Sequence, residues 1–334
     1  MRRYVFLILL CAAGPVVAQQ DEVTVDREAA EAIRGGLKYL AAQQSPNGSW
    51  TELNKPEWET AITGYALMAF LATGNLPNEG EFGKVVAAGR QYLLNSLQSD
   101  GKFVTVRRGG QYMYGHGIAT IVLAELYGQT KSEALRPKLE KAVQVIVSAQ
   151  NHTGGWRYSP VSADADISVT VLQVVALRAA KEAGLDVPQA TLENAVNYIH
   201  ACYDAPSGGF GYQPRGGAGF ARTAAAIYSL QVLGRYDDPQ VQTGSDYLVK
   251  HFNDRSGYIA YGHFYAGPAE YMLGGETWKA WYTNLHASLL KSVRRQGEIA
   301  YWEKQGSDPG SVYTTAVYTT LLALPYHYVP LYQR

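Results

Sequence analysis

Cysteine is nearly missing from this chain of 334 residues, which holds only Cys11 and Cys202. Cys11 sits in an apolar N-terminal run, so the body of the protein keeps Cys202 alone and no disulfide can form within it. Long apolar runs are also missing. Past the first eighteen residues they reach about a dozen residues, which fits buried helices and falls short of a bilayer span. No charge of one sign dominates, with 29 Lys and Arg against 29 Asp and Glu. That balance argues against nucleic acid or an anionic membrane as the principal partner. The chain contains no Gly-x-Ser-x-Gly nucleophile turn. Its glycine-rich stretch, residues 208–219, lacks the lysine and the preceding strand of a phosphate-binding loop.

What is present begins with a leader. Arg2 and Arg3 precede an apolar run over residues 4–13 and a small-residue ending at Val16-Val17-Ala18. This pattern predicts a secretory signal peptide cut after Ala18, and hence a secreted or periplasmic protein. The run is too short for stable membrane insertion, and Cys11 follows Leu10 where a lipid-attachment site needs a small residue. Without Arg2 and Arg3 the balance is 27 basic against 29 acidic residues. No Pro- or Ser-rich linker divides residues 19–334, which read as one domain.

That domain repeats itself. A loop of the form Q-x-x-x-G-x-W recurs as QQSPNGSW (43–50), LQSDGKF (97–103), AQNHTGGW (149–156) and YDAPSGGF (203–210). Weaker copies are FNDRSGY (252–258) and RRQGEIAYW (294–302). Anchored on Gly48, Gly101, Gly155, Gly209, Gly257 and Gly297, the copies lie 53, 54, 54, 48 and 40 residues apart. A period of this length marks stacked supersecondary units. The segment before each loop is amphipathic, as in Ile33, Leu37 and Leu40 among Arg34 and Lys38. The segment after it is apolar all round, as over residues 61–74, 117–128, 168–180 and 222–234. Such helices are buried on every side, and Gly74, Gly128, Gly184 and Gly234 stand where a left-handed glycine would end each one. These runs lack the alternation of strands. Six amphipathic helices around six apolar ones predict an all-α fold, a closed α/α toroid (α6/α6 barrel) of six helix-pair repeats, with loop glutamines and aromatics tying neighbours together.

The loops resemble the QW repeats of squalene–hopene and oxidosqualene cyclases, and the toroid resembles that of protein prenyltransferase β subunits. The resemblance implies a terpenoid-cyclase-like barrel around a central cavity.

In such a barrel the first turns of the inner helices meet at one mouth. They carry Glu57 and Thr60, Tyr114 and His116, Asp164, Asp166 and Ser168, Arg222, His263 and Tyr265, and Tyr313. The segment DADIS (164–168) resembles the cyclases' D-x-D-D-T acid motif. That implies Asp166 as proton donor with Asp164 as partner, although Ile167 and Ser168 replace the motif's Asp and Thr. Read from the residues alone, the segment has two outcomes. Two carboxylates facing one cavity would raise one pKa by several units, whereas a single Asp at the helix start is a cap worth about 1 kcal/mol. The prenyltransferase zinc site does not carry over, because Asp166 stands in place of its cysteine; zinc through His116, His263 and an Asp stays chemically open, while the expectation is no metal and no cofactor. The expected catalytic set is therefore Asp164, Asp166, His116 and His263, with Arg222, Tyr265, Tyr313 and Trp58 as ligand-binding residues. Aromatics are plentiful, at 25 Tyr, 8 Phe and 6 Trp, and would steady a cation or stack on sugars where they do not simply fill the core.

Three functions stay open. By resemblance, the toroid binds or acts on an isoprenoid or other apolar ligand, and an enzyme of this kind would be an acid-initiated cyclase or isomerase, or transferase-like. This needs both aspartates in an apolar cavity. A secreted glycan-active lyase or hydrolase needs an open polar groove with exposed Trp or Tyr. A lyase further needs a base near an acidic sugar, with Arg or a metal to neutralise its carboxylate, roles that His116, His263, Arg222 and a Tyr could fill. A protein-interaction scaffold without catalysis needs a filled barrel centre.

Overall fold

The computed structural model describes residues 23–52, 55–104, 112–161, 163–254 and 257–332. The leader expected at residues 1–18 lies outside them. Twelve α-helices follow one another: α1 (Arg27–Gln43), α2 (Glu59–Ala72), α3 (Gly83–Ser96), α4 (Tyr112–Thr130), α5 (Arg136–Ala149), α6 (Ile167–Glu182), α7 (Gln189–Ala201), α8 (Phe220–Val232), α9 (Pro239–Lys250), α10 (Ile259–Leu273), α11 (Gly275–Ser292) and α12 (Ser311–Leu322). The even-numbered helices are the apolar ones. In α2 every residue from Thr60 to Ala72 is buried. Each even helix packs on the next, and α12 returns to α2, which closes the ring. The odd helices lie outside and bury one stripe each, such as Ile33, Leu37 and Leu40 in α1. The protein is an α/α toroid of six helix pairs. No helix among the described residues is long and apolar enough to cross a membrane.

The repeated loops staple this ring. The indole N–H groups of Trp50, Trp156 and Trp302 donate to the carbonyls of Leu40, Ile146 and Leu289 near the end of the preceding outer helix, at 2.7, 2.7 and 2.9 Å. The backbone N–H of four of the six loop aromatics donates to a threonine hydroxyl in the next inner helix: Trp50 to Thr63, Trp156 to Thr170, Phe210 to Thr223 and Trp302 to Thr315. Gln44 and Gln150 each donate to two carbonyls, one in their own loop and one in the following outer helix, Val85 or Thr191. These bonds satisfy the buried polar groups that a loop entering a core would otherwise leave open.

The glycines divide their roles, and the helix end expected at Gly128 is corrected. In the third and fourth loops the left-handed residues are Gly154 (φ 93°) and Gly208 (φ 77°), one position before Gly155 and Gly209. Gly155 is needed for space instead, because a Cβ there would lie 2.6 Å from the Ala165 Cβ. Gly128 lies inside α4, which runs two residues further. Loops four and six also form short antiparallel ribbons, β1 (Tyr203–Asp204) with β2 (Gly209–Phe210) and β3 (Arg294–Gln296) with β4 (Ile299–Tyr301).

The C-terminal ends of the inner helices are closed off. A 3₁₀ turn, Pro330–Tyr332, packs on α6 and α10, and Leu331 and Tyr332 are buried. The Tyr228 hydroxyl reaches the Leu331 carbonyl at 3.5 Å. Glu125 lies beneath this plug beside the Leu331 backbone, and burial pushes its pKa up to about 8.

Candidate functional site

At the other end, the first turns of the inner helices surround a cavity of about 600 Å³. Its wall carries Trp58, Tyr114, Ser168, Arg222, Tyr261 and Tyr313 from the inner-helix ends. Tyr158 and Tyr212 reach it from the third and fourth loops. Tyr65, also on the wall, meets Tyr313 edge to face, with ring centres 4.8 Å apart.

Carboxylates hold three of these helix starts. Asp166 accepts from Val169 N at 2.9 Å at the head of α6. Asp308, from the loop before α12, accepts from Ala260 N (2.7 Å) and Tyr261 N (3.3 Å) of α10. Glu52, from the loop before α2, accepts from Tyr313 N of α12 at 2.8 Å. Burial pushes Asp308 up to about 6 and raises Glu52. The sequence reading named neither Asp308 nor Glu52, since each serves a helix of another repeat.

The two aspartates of DADIS do not face each other across the cavity. Asp166 is fully enclosed and Asp164 is exposed, and Arg157 stands between them, with Nη1 3.2 Å from Asp166 Oδ2 and Nε 3.7 Å from Asp164 Oδ2. The guanidinium also lies over the rings of Tyr158 and Tyr212, whose hydroxyls bond to each other. Burial raises the Asp166 pKa, opposed by Ser168, the Val169 amide and Arg157. A carboxylate bridged to a guanidinium is an ion pair, not a proton-sharing pair. Ser168 links it to the cavity: its hydroxyl donates to Asp166 Oδ1 at 2.5 Å and lies 2.6 Å from the Tyr114 hydroxyl. The Tyr261 hydroxyl donates to the Ser168 carbonyl at 2.7 Å.

Both histidines turn away from the mouth, contrary to expectation. His116 Nε2 meets the Ala142 carbonyl of the outer helix α5 at 2.9 Å, and Nδ1 meets the Tyr112 hydroxyl at 3.0 Å. That hydroxyl accepts from the Phe103 amide. His116 thus holds the place that threonine holds in four of the other loops, reached through Tyr112. Burial lowers its pKa to about 4, so it is neutral at pH 7. His263 occupies the matching turn of α10 and packs among Phe220, Phe252 and Trp281. Tyr265 is fully buried below Tyr261, ring centres 5.0 Å apart, and is absent from the cavity wall. The structure therefore brings Trp58, Arg222 and Tyr313 together and sets Asp164, Asp166, His116, His263 and Tyr265 elsewhere. Arg157 was missed, although it directly follows the loop residue Trp156. Among the described residues no three His, Cys, Asp or Glu side chains gather in a cluster able to hold a metal ion.

Solved structures share this fold at low identity. An α-1,6-mannanase of Salegentibacter, an inactive variant in complex with α-1,6-mannotriose, is 9% identical, with a TM-score of 0.65 over 88% of this chain and 98% of that one. Cellobiose 2-epimerase from Bacillus thermoamylovorans is 12% identical, with a TM-score of 0.63 over 87% and 97%. A type II terpene cyclase from Scytonema is 12% identical, with a TM-score of 0.56 over 89% and 97%. At such identities the likeness concerns the fold alone. No curated protein matches the chain in sequence. Residues 29–215, more than half of the chain, match the family model for a domain of unknown function, DUF6288, and the chain belongs to that family.

Proposed function

We propose that the protein binds a carbohydrate in the mouth of its toroid. The observation that carries this reading is the wall of the cavity: Trp58 and a set of tyrosines that offer ring faces and hydroxyl oxygens together. Its volume of about 600 Å³ suits a small organic ligand. A ligand of hydrocarbon alone would cover Arg222, held by only a long bond to the Ala218 carbonyl, and the spare lone pairs of the phenols, at about 1–3 kcal/mol for a group left unsatisfied. Sugars supply both a face for stacking and hydroxyls for these groups.

The other readings have less support. The acid-initiated cyclase expected from DADIS needs Asp164 and Asp166 on the cavity wall, whereas Asp166 is bound to Arg157 behind it and Asp164 is exposed away from it. A scaffold without a ligand needs no open cavity. Hydrolysis by paired carboxylates lacks its second member, since Asp254 is the only carboxylate among the described lining residues. Binding is thus the supported activity. Export by the expected leader would place the cavity among glycans outside the cell, and the mannanase with the same fold was solved holding mannotriose.

Titration of the full chain with mannotriose and other oligosaccharides, followed by tryptophan fluorescence and calorimetry, tests the proposal. At least one sugar should give saturable binding that Trp58→Ala weakens about tenfold, near the 1.4 kcal/mol scale of one stacked ring. The absence of saturable binding across neutral and acidic oligosaccharides would reject it.

A further inference from the structure

The hydrogen-bond directions in the cavity wall can be assigned. Asp166 Oδ1 accepts the Val169 amide, so it is also the acceptor for the Ser168 hydroxyl. The single proton of Ser168 is thereby spent, and the 2.6 Å contact with Tyr114 must carry the Tyr114 proton toward Ser168 Oγ. Tyr261 spends its proton on the Ser168 carbonyl. Tyr114 and Tyr261 thus present phenol oxygens that can only accept, and Ser168 adds a spare lone pair. This wall, built from α4, α6 and α10, calls for donors on a ligand and disfavours an anion.

The α8 side has the opposite sign. Arg222 lines the cavity and forms no ion pair among the described residues. Its one hydrogen bond there is a long one, 3.4 Å, to the Ala218 carbonyl. Its guanidinium lies over Gly219, where a Cβ would come within 2.5 Å of Nη2, so the glycine leaves the arginine room at the wall. Asp254 and His251 also border the cavity. A guanidinium that forms no ion pair among the described residues gains more from a carboxylate than from a hydroxyl, since charge-assisted bonds are about twice as strong as neutral ones.

Building on the carbohydrate reading, we propose that the ligand is an acidic sugar, with hydroxyl groups donating to Tyr114, Tyr261 and Ser168 and its carboxylate seated on Arg222. Arg222 is then the specificity-determining residue, and the tyrosine wall sets the orientation. An oligouronate satisfies both sides in one pose, whereas a neutral oligosaccharide leaves the guanidinium without its charge partner.

Calorimetry with trigalacturonate and trimannuronate, their methyl esters and neutral mannotriose tests this on the full chain. At least one acid should bind about tenfold more tightly than its own ester, and Arg222→Gln should erase that ratio while the melting temperature holds. Tyr114→Phe should weaken acid and ester by the same factor, because its missing oxygen faces hydroxyls. Equal binding of acid and ester to the wild type overturns the charge selection and leaves carbohydrate binding standing. A ratio that survives Arg222→Gln, or one that collapses in Tyr114→Phe, also overturns it. Failure of every sugar to bind removes the carbohydrate reading itself.

Discussion

Asp166 balances three neighbours against its own burial. Oδ1 holds the first turn of α6 and the Ser168 hydroxyl, and Oδ2 faces Arg157 at 3.2 Å. Desolvation alone would favour the neutral acid, and each of those neighbours favours the charged form. Replacing Asp166 by Asn preserves an oxygen for the cap but removes the charge opposite Arg157. Loss of one member of a buried pair costs several kcal/mol. Arg157 is partly exposed and keeps Asp164 nearby, so we expect a smaller loss, about 1–3 kcal/mol. A urea-unfolding midpoint identical to that of the wild type would contradict this.

At the scale of the element, the loop and the helix after it act as one unit. The spacing from loop aromatic to threonine is 13 residues for Trp50–Thr63, Phe210–Thr223 and Trp302–Thr315, and 14 for Trp156–Thr170. The same count from Phe103 arrives at His116, which explains why this histidine looks outward to α5. Thr63 is fully buried, and its hydroxyl is the partner of the Trp50 amide. The isosteric change Thr63→Val should strand that amide and lower stability by about 1–3 kcal/mol. Ligand binding should persist under conditions where the variant is folded. A gain in stability would mean that the Trp50 amide finds another acceptor.

For the whole molecule, ring closure makes two ends of different character, an open mouth and a sealed base. The base holds Glu125, whose pKa of about 8 lies above the ordinary 4.5. An unfolded chain ionises this group from pH 4.5 upward, while the folded chain keeps its proton until about pH 8. The acid therefore favours unfolding progressively as pH rises across that window. Glu270, pushed up to about 7 by burial, acts in the same direction. His116 acts the other way, but its effect fades as pH rises above its ordinary 6.5, where two buried acids oppose it. Between pH 6.5 and 8 the protein should lose stability, and Glu125→Gln should show a shallower loss in thermal melts across those pH values. Parallel slopes for wild type and variant would exclude Glu125 as the cause.

The period, the apolar inner helices and the Gln, Gly and Trp staples were all legible in the chain, because burial on every side and loop geometry demand particular residues whatever the neighbours are. They determined the toroid. The facing of each site residue was another matter. Successive residues of a helix point about 100° apart, so one position of register decides whether a side chain meets the cavity or an outer helix. That placed Arg222 and Tyr313 on the wall and turned His116 and His263 away from it. The partners of the helix starts were equally hidden, since Glu52 caps a residue 261 positions along the chain. Only closure of the ring brings such groups into contact, and with them the polarity of the cavity.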